Sequence, residues 1–354
     1  MNVHQTQTEF NCGIDLHAKS MYICVMNREG EILRHQNIKN NDFAYFLKVV
    51  EPFRHDLTVA CECTFNWYWL CDDCYDAEIC FSLGHALYMK VIHGTKTKND
   101  RVDSKKIAHL LRSNLLPKAY CCSAERRPAR ELLRRRIYMM RERSALLAHM
   151  SSAVQTYGQD TLTTAEKRKN DRQELIPKRF DNELLKLSMQ VDVEMVEQLD
   201  MQIAKMEKTI VKHTKLTSSA EYNLLKSSPG IGTILALIIL YEVDDISRFP
   251  TVGDFCSYAR LAPNNAQSAG KTVGKQGRKM GNQYLKWAFT QAVVLTKSSN
   301  SPLKRYCDRL TAKHGKLKSN TVMAHRLARA VYFMLKRGQV FDMKLFLKGK
   351  INMT

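Results

Sequence analysis

Acidic residues are scarce in the last part of this chain. From Arg260 to Thr354, 20 Lys and Arg stand against Asp308 and Asp342 alone, so this segment carries +18 of the net +20. A field so one-sided calls for a polyanionic partner. Nucleic acid fits better than a membrane, because the basic residues are interleaved with an apolar pattern typical of a folded domain. Long apolar runs are also lacking: the longest, Ile234 to Leu240, is too short to cross a bilayer. The first ten residues, MNVHQTQTEF, have neither the charged nor the apolar region of an export signal, and the expected location is cytoplasmic, with no membrane partner. No internal repeat or low-complexity segment is found. The 11 cysteines are an odd number in a chain without an export signal, which favours reduced thiols over a disulfide framework. Cys61, Cys63, Cys71 and Cys74 make a poor zinc set, since Glu62 separates the first two and helix-like sequence follows the second two.

What is present is a soluble globular composition, 44% hydrophobic and 25% charged, in 354 residues. That length is too great for one ordinary core and predicts two or three domains. β-Rich stretches open the chain: NCGIDLH, MYICVMN and EILRHQNI, with Arg28, Glu29 and Gly30 as a turn between the last two. Helical periodicity follows from Phe43 to Phe53, then a strand LTVACE, a helix from Asn66 to Tyr75, short strands EICFSLG and MKVI, and a helix from Arg101 to Asn114. This order predicts a mixed sheet in which the first and fourth strands are neighbours and a terminal helix lies across their ends.

A long helix is predicted from Pro128 to Tyr157, opened by an Arg-rich turn; Thr163 to Gln173 reads as a loop or hinge. Beyond it, Leu185, Met189, Val196, Leu199, Ile203, Met206 and Ile210 form a heptad seam, interrupted at Asp192, that suits either a coiled-coil hairpin or a dimer contact. A third unit begins near Ser218. In SPGIGTILALIIL, two helices join through Pro229, Gly230 and Gly232, an element like a helix-hairpin-helix whose amides are expected to face a phosphate. Helices from Gln283 to Thr296 and from Thr321 to Arg337 follow the loop QSAGKTVGKQGRKMGN.

Four carboxylates stand out. Asp15 lies inside an apolar strand, Glu62 ends another, and Asp100 and Asp103 fall one helical turn apart on one face. Buried carboxylates are costly unless a cation collects them, and a pair of Mg²⁺ ions, with their preference for oxygen ligands, would suit phosphodiester cleavage. Each acid also has a structural use: Asp100 and Asp103 favour a helix N-terminus, and Glu62 suits a strand end. Asp15, flanked by Ile14 and Leu16, is hardest to account for in that way. Ser268 sits among Lys271, Lys275, Arg278 and Lys279 with glycines between, so it reads as a nucleophile beside a phosphate cradle or as a simple turn former. Arg126, Arg127, Arg130, Arg134 and Arg135 suit backbone contact with RNA or DNA, or else a solvated face paired with Glu125, Glu131 and Glu142. Trp67, Tyr68 and Trp69 read as packing groups.

The segments GIDLHAKSMYICV, the glutamate before TFNWYWL, KNDRVDSKKIAHLLR, SPGIGTILALIIL and SAGKTVGKQGRKMGNQYLKWAF, closing with HRLARAVYFMLKRG, resemble in order the DEDD insertion-sequence transposases. Their relatives are the bridge-RNA-guided recombinases and the Piv-type DNA invertases. The resemblance implies an α/β plus α architecture: a RuvC-like (ribonuclease H-like) domain over 1–157, a coiled-coil middle over 158–217, and a mostly helical transposase domain over 218–354. It also implies that Asp15, Glu62, Asp100 and Asp103 are a Mg²⁺-binding tetrad and that Ser268 forms a phosphoserine link to DNA. Its further implications are a homo-oligomer, dimer or tetramer, acting on target and donor DNA with a structured guide RNA. Many relatives carry SS or SG where this chain has Ser268 and Ala269, which leaves Ser268 the single hydroxyl there. A guide-independent invertase, a hydrolytic Holliday-junction-type nuclease and a non-enzymatic nucleic-acid-binding protein are the competing readings.

Overall fold

The computed structural model describes residues 4, 8–92, 99–262, 266–268, 271–274, 280–297 and 302–348. The chain forms two compact units, Met1–Ala124 and Glu125–Thr354. The first unit holds β1 (Phe10–Leu16), β2 (Ser20–Met26), β3 (Ile32–Lys39), α1 (Phe43–Val50), β4 (Leu57–Glu62), α2 (Tyr68–Asp76), β5 (Cys80–Gly84), α3 (Ala86–Ile92) and α4 (Asp100–Arg112). The sheet runs β3-β2-β1-β4-β5, with β1 parallel to β4, β4 parallel to β5, and antiparallel pairs elsewhere. The first and fourth strands are therefore neighbours, as expected from the element order. Central β1 and β4 are buried along nearly their whole length, which explains their largely apolar sequences. Edge strand β3 alternates toward solvent and reads as ILRHQNIK.

Met89–Ile92, expected as a strand, lies in α3 instead. A four-residue segment with three apolar residues fits either state. The edge of β5 is already occupied, since Ala119 N–H donates to the Leu83 carbonyl, His85 N–H donates to the Pro117 carbonyl, and Gly84 bridges Lys118.

One glycine sets the position of α4. A methyl group on Gly13 would fall 2.2 Å from the Ala108 nitrogen and 2.3 Å from the Ser104 oxygen, so β1 and α4 meet backbone to backbone. His35 on β3 fixes the start of the same helix: its Nε2 lies 2.9 Å from the Arg101 carbonyl oxygen and 3.4 Å from Ser104 Oγ.

The second unit is mostly helical. It holds α5 (Arg127–Thr156), α6 (Arg172–Leu175), α7 (Glu183–Thr217), α8 (Ser219–Lys226), α9 (Thr233–Val243), α10 (Val252–Tyr258), the hairpin β6 (Ala266–Ser268) and β7 (Lys271–Gly274), α11 (Gln283–Thr296), α12 (Pro302–His314), α13 (Lys316–Arg337) and α14 (Met343–Leu347). Ion pairs Arg136–Glu207, Arg143–Asp200 and His149–Asp192 run in opposite senses along α5 and α7, so the heptad seam closes an antiparallel hairpin within the chain. Asp192, which breaks the apolar repeat, accepts from His149 Nδ1 at 2.7 Å. Helix α9 is buried from Leu235 to Val243 and forms the centre of the other core.

Within α9 the carboxylate of Glu242 is almost sealed from solvent. It takes a two-pronged contact from Arg134 (2.7 and 2.9 Å) and a hydrogen bond from Asn282 Nδ2 at 2.6 Å, with Arg130 Nε at 3.4 Å. Glu242→Ala is therefore expected to cost about 3–5 kcal/mol in urea unfolding, because it leaves guanidinium charge uncompensated inside the unit. A loss below ~1 kcal/mol would contradict the burial of this cluster.

Candidate metal centre

Strand β1 carries Asp15 to the end of the sheet, and β4 carries Glu62 to the same end, one residue past the paired Ile14 and Cys61. Helix α4 presents Asp100 and Asp103 in its first turn, behind an Asn99 cap whose side chain accepts from Arg101 N–H. Because α4 touches β1 at Gly13, that first turn lies beside Asp15. The carboxyl of Asp15 is pushed above the usual range, first by burial, then by the charges of Asp100, Asp103 and Glu62, with His17 acting in the opposite sense. Carboxylates crowded in this way favour a divalent cation.

Asp15, His17 and Asp100 present ligand atoms within 4.8 Å of one another. His17 Nε2 lies 3.3 Å from Asp15 Oδ2 and 3.4 Å from Asp100 Oδ1. Sequence reading missed His17. The signal was its place two residues after Asp15, which puts both on one face of an extended segment. Asp103 faces Lys106, whose Nζ donates to it at 2.8 Å.

Other expected site residues fare differently. Ser268 ends β6 and pairs in register with Lys271 of β7. Lys275, Arg278 and Lys279 lie outside the described residues. The base of this hairpin is anchored: Arg260 Nε donates to the Gly281 carbonyl at 2.7 Å, and Asn282 caps α11. The arginines of α5 and its cap turn inward more than their number implied. Arg126 contacts the Asp244 carbonyl and Glu221, Arg127 is buried, and Arg130 and Arg134 converge on Glu242. Arg135 stays exposed, its guanidinium over Tyr138. Burying the apolar α9 beneath α5 brought Glu242 inside, and the arginines supply its countercharge. In the Pro229–Gly232 turn, Gly230 packs on protein, since a methyl there would meet the Ala292 carbonyl oxygen of α11 at 2.2 Å, whereas a methyl on Gly232 would meet nothing within 4 Å.

A mixed sheet that brings carboxylates from two strands and a helix to one end is thus joined, along one chain, to a mostly helical unit. The IS110-type DEDD transposase model matches residues 12–159, and the model described as "Transposase IS116/IS110/IS902 family" matches 222–308. The chain belongs to this family of insertion-sequence transposases. A relative from Streptomyces coelicolor, described as "Insertion element IS110 uncharacterized 43.6 kDa protein", is 30% identical over 126 residues. The match covers 34% of this chain and 30% of that protein.

Proposed function

We propose that the chain is a recombinase that moves an insertion sequence, cutting and rejoining target and donor DNA. The observation that carries this reading is the convergence of Asp15 with Asp100 and with the charges of Glu62 and Asp103 at one sheet end. In this reading 1–157 is a RuvC-like domain, 158–217 a coiled-coil region and 218–354 the serine-bearing domain. The four carboxylates hold Mg²⁺, which would supply Lewis-acid stabilisation of charge on a DNA phosphate. Asp15, Glu62, Asp100 and Asp103 would hold the cation that positions that phosphate, and the Ser268 hydroxyl oxygen attacks phosphorus as it gives up its proton. A phosphoserine ester forms, the bridging P–O bond breaks, and the displaced sugar oxygen leaves as a hydroxyl after taking up a proton. Reversal of the same exchange with a new sugar hydroxyl rejoins the strands. A homo-oligomer acting with a structured guide RNA would read sequence by base pairing and leave backbone contact to the basic C-terminal surface.

Ser268→Ala tests this directly. With end-labelled DNA carrying the element's ends, the wild type is expected to leave a protein–DNA adduct that survives denaturation, and the variant none. Strand cleavage persisting at the wild-type rate in the variant would mean that water attacks, and the chain would then be a hydrolytic nuclease.

A further inference from the structure

His17 is held more firmly than its exposure requires. Its side chain is about half exposed, at 48%, yet three hydrogen bonds fix its backbone. The His17 N–H donates to the Ser20 carbonyl at 2.8 Å. Its carbonyl accepts from Asn41 Nδ2 at 3.0 Å and from Asn66 Nδ2 at 2.9 Å, side chains that arrive from the β3–α1 and β4–α2 connections. Asn41 reaches this position from a left-handed backbone, φ 51°, a conformation that asparagine tolerates better than most residues. Two separate segments thus fix the His17 main chain, and its imidazole lies beside Asp15 and Asp100.

The spacing suits a shared ion. Ligand atoms about 2.1 Å from a six-coordinate divalent cation stand about 3 Å apart when adjacent. The separations from His17 Nε2 to its two carboxylate neighbours are 3.3 and 3.4 Å. We propose that His17 is a nitrogen ligand to the cation held by Asp15 and Asp100, and that it tilts the site toward Mn²⁺ over Mg²⁺. The inference rests on the metal-site reading above. Its physical reason is that Mg²⁺ favours an all-oxygen shell with retained water, whereas imidazole is a good donor to the transition metals. The competing role for His17 is a protonated counter-charge between two carboxylates, which contributes no bond to metal.

Electron paramagnetic resonance of the full-length protein with Mn²⁺ separates the two. Wild-type protein is expected to bind Mn²⁺ and to show nitrogen modulation of its spin echo, from directly bound imidazole. His17→Gln should lose that modulation and bind Mn²⁺ about 10-fold or more weakly, with Mg²⁺ competition changed much less. Circular dichroism melting of the same variant checks that the fold is retained, and His17→Asn serves if His17→Gln melts early. Mn²⁺ bound without nitrogen modulation, or modulation that persists in both variants, overturns the role of His17 and leaves the carboxylate site standing. If Mn²⁺ binds neither wild type nor variants, while Asp15→Asn changes nothing, the metal-site reading itself fails and the His17 proposal with it.

Discussion

Asp15→Asn is expected to abolish strand cleavage, by on the order of 10³-fold or more, while leaving the fold intact or firmer. On the proposed metal-site reading, the loss follows from removing the carboxylate that β1 presents beside Asp100 of α4, an interaction with the cation worth several kcal/mol of charge stabilisation. The gain in stability follows from linkage. Burial, then Asp100, Asp103 and Glu62, raise the Asp15 carboxyl above its unfolded value, with His17 partly opposing them. A raised group binds its proton more readily in the folded state, so its stabilising contribution is full below the unfolded value and is lost as pH rises through the folded one. At neutral pH, in chelator, the wild type therefore carries an ionised Asp15 at a cost that asparagine does not share. The variant should melt at or above the wild-type temperature there, and that advantage should vanish below the ordinary carboxylate range. Added divalent cation should raise the melting temperature of the wild type more than that of the variant. Melting curves with and without chelator across pH 3 to 8, beside a cleavage assay, check both halves. A variant that cleaves DNA at the wild-type rate would remove Asp15 from the chemistry.

Gly13→Ala is expected to damage the same site without touching any ligand. Its methyl would fall 2.2 Å from the Ala108 nitrogen and 2.3 Å from the Ser104 oxygen. Both are main-chain atoms, so relief requires α4 itself to move away from β1. Asp100 and Asp103 ride on the first turn of that helix, and a shift near 1 Å at a reacting centre costs about 10²-fold. Overpacking of this kind also destabilises by about 1–3 kcal/mol or more. The expected result is a lower melting temperature together with weakened Mn²⁺ binding and cleavage. Gly253→Ala is the control, because its methyl meets nothing nearer than Thr251 Oγ1 at 3.5 Å. If Gly13→Ala kept full stability and metal affinity, the direct packing of β1 on α4 would not be what holds the site.

Much of the first unit was legible because its signals are local. Largely apolar runs marked β1 and β4, and the i, i+3 spacing put Asp100 and Asp103 on one helix face. The MKVI segment was misread because four residues carry no period long enough to separate strand from helix, and the answer lay in what already occupied the β5 edge. His17 was overlooked because nothing in its neighbours along the chain reveals that Asn41 and Asn66 hold it. The arginines of α5 show the opposite error. Glu125, Glu131 and Glu142 lie nearby in sequence, but Arg134 pairs with Glu242 and Arg126 with the Asp244 carbonyl, each more than a hundred residues away.

Composition and pattern by themselves determined that this chain carries a strongly basic C-terminal segment, a strand-rich start and a long heptad-patterned helix, since these depend only on residue type and spacing. Tertiary structure decided which carboxylates meet, which arginines turn inward and that the α5–α7 seam closes within one chain. The physical reason is that charge neutralisation and close packing are settled between elements far apart in sequence. A residue's type says what it needs, and only the fold says what supplies it.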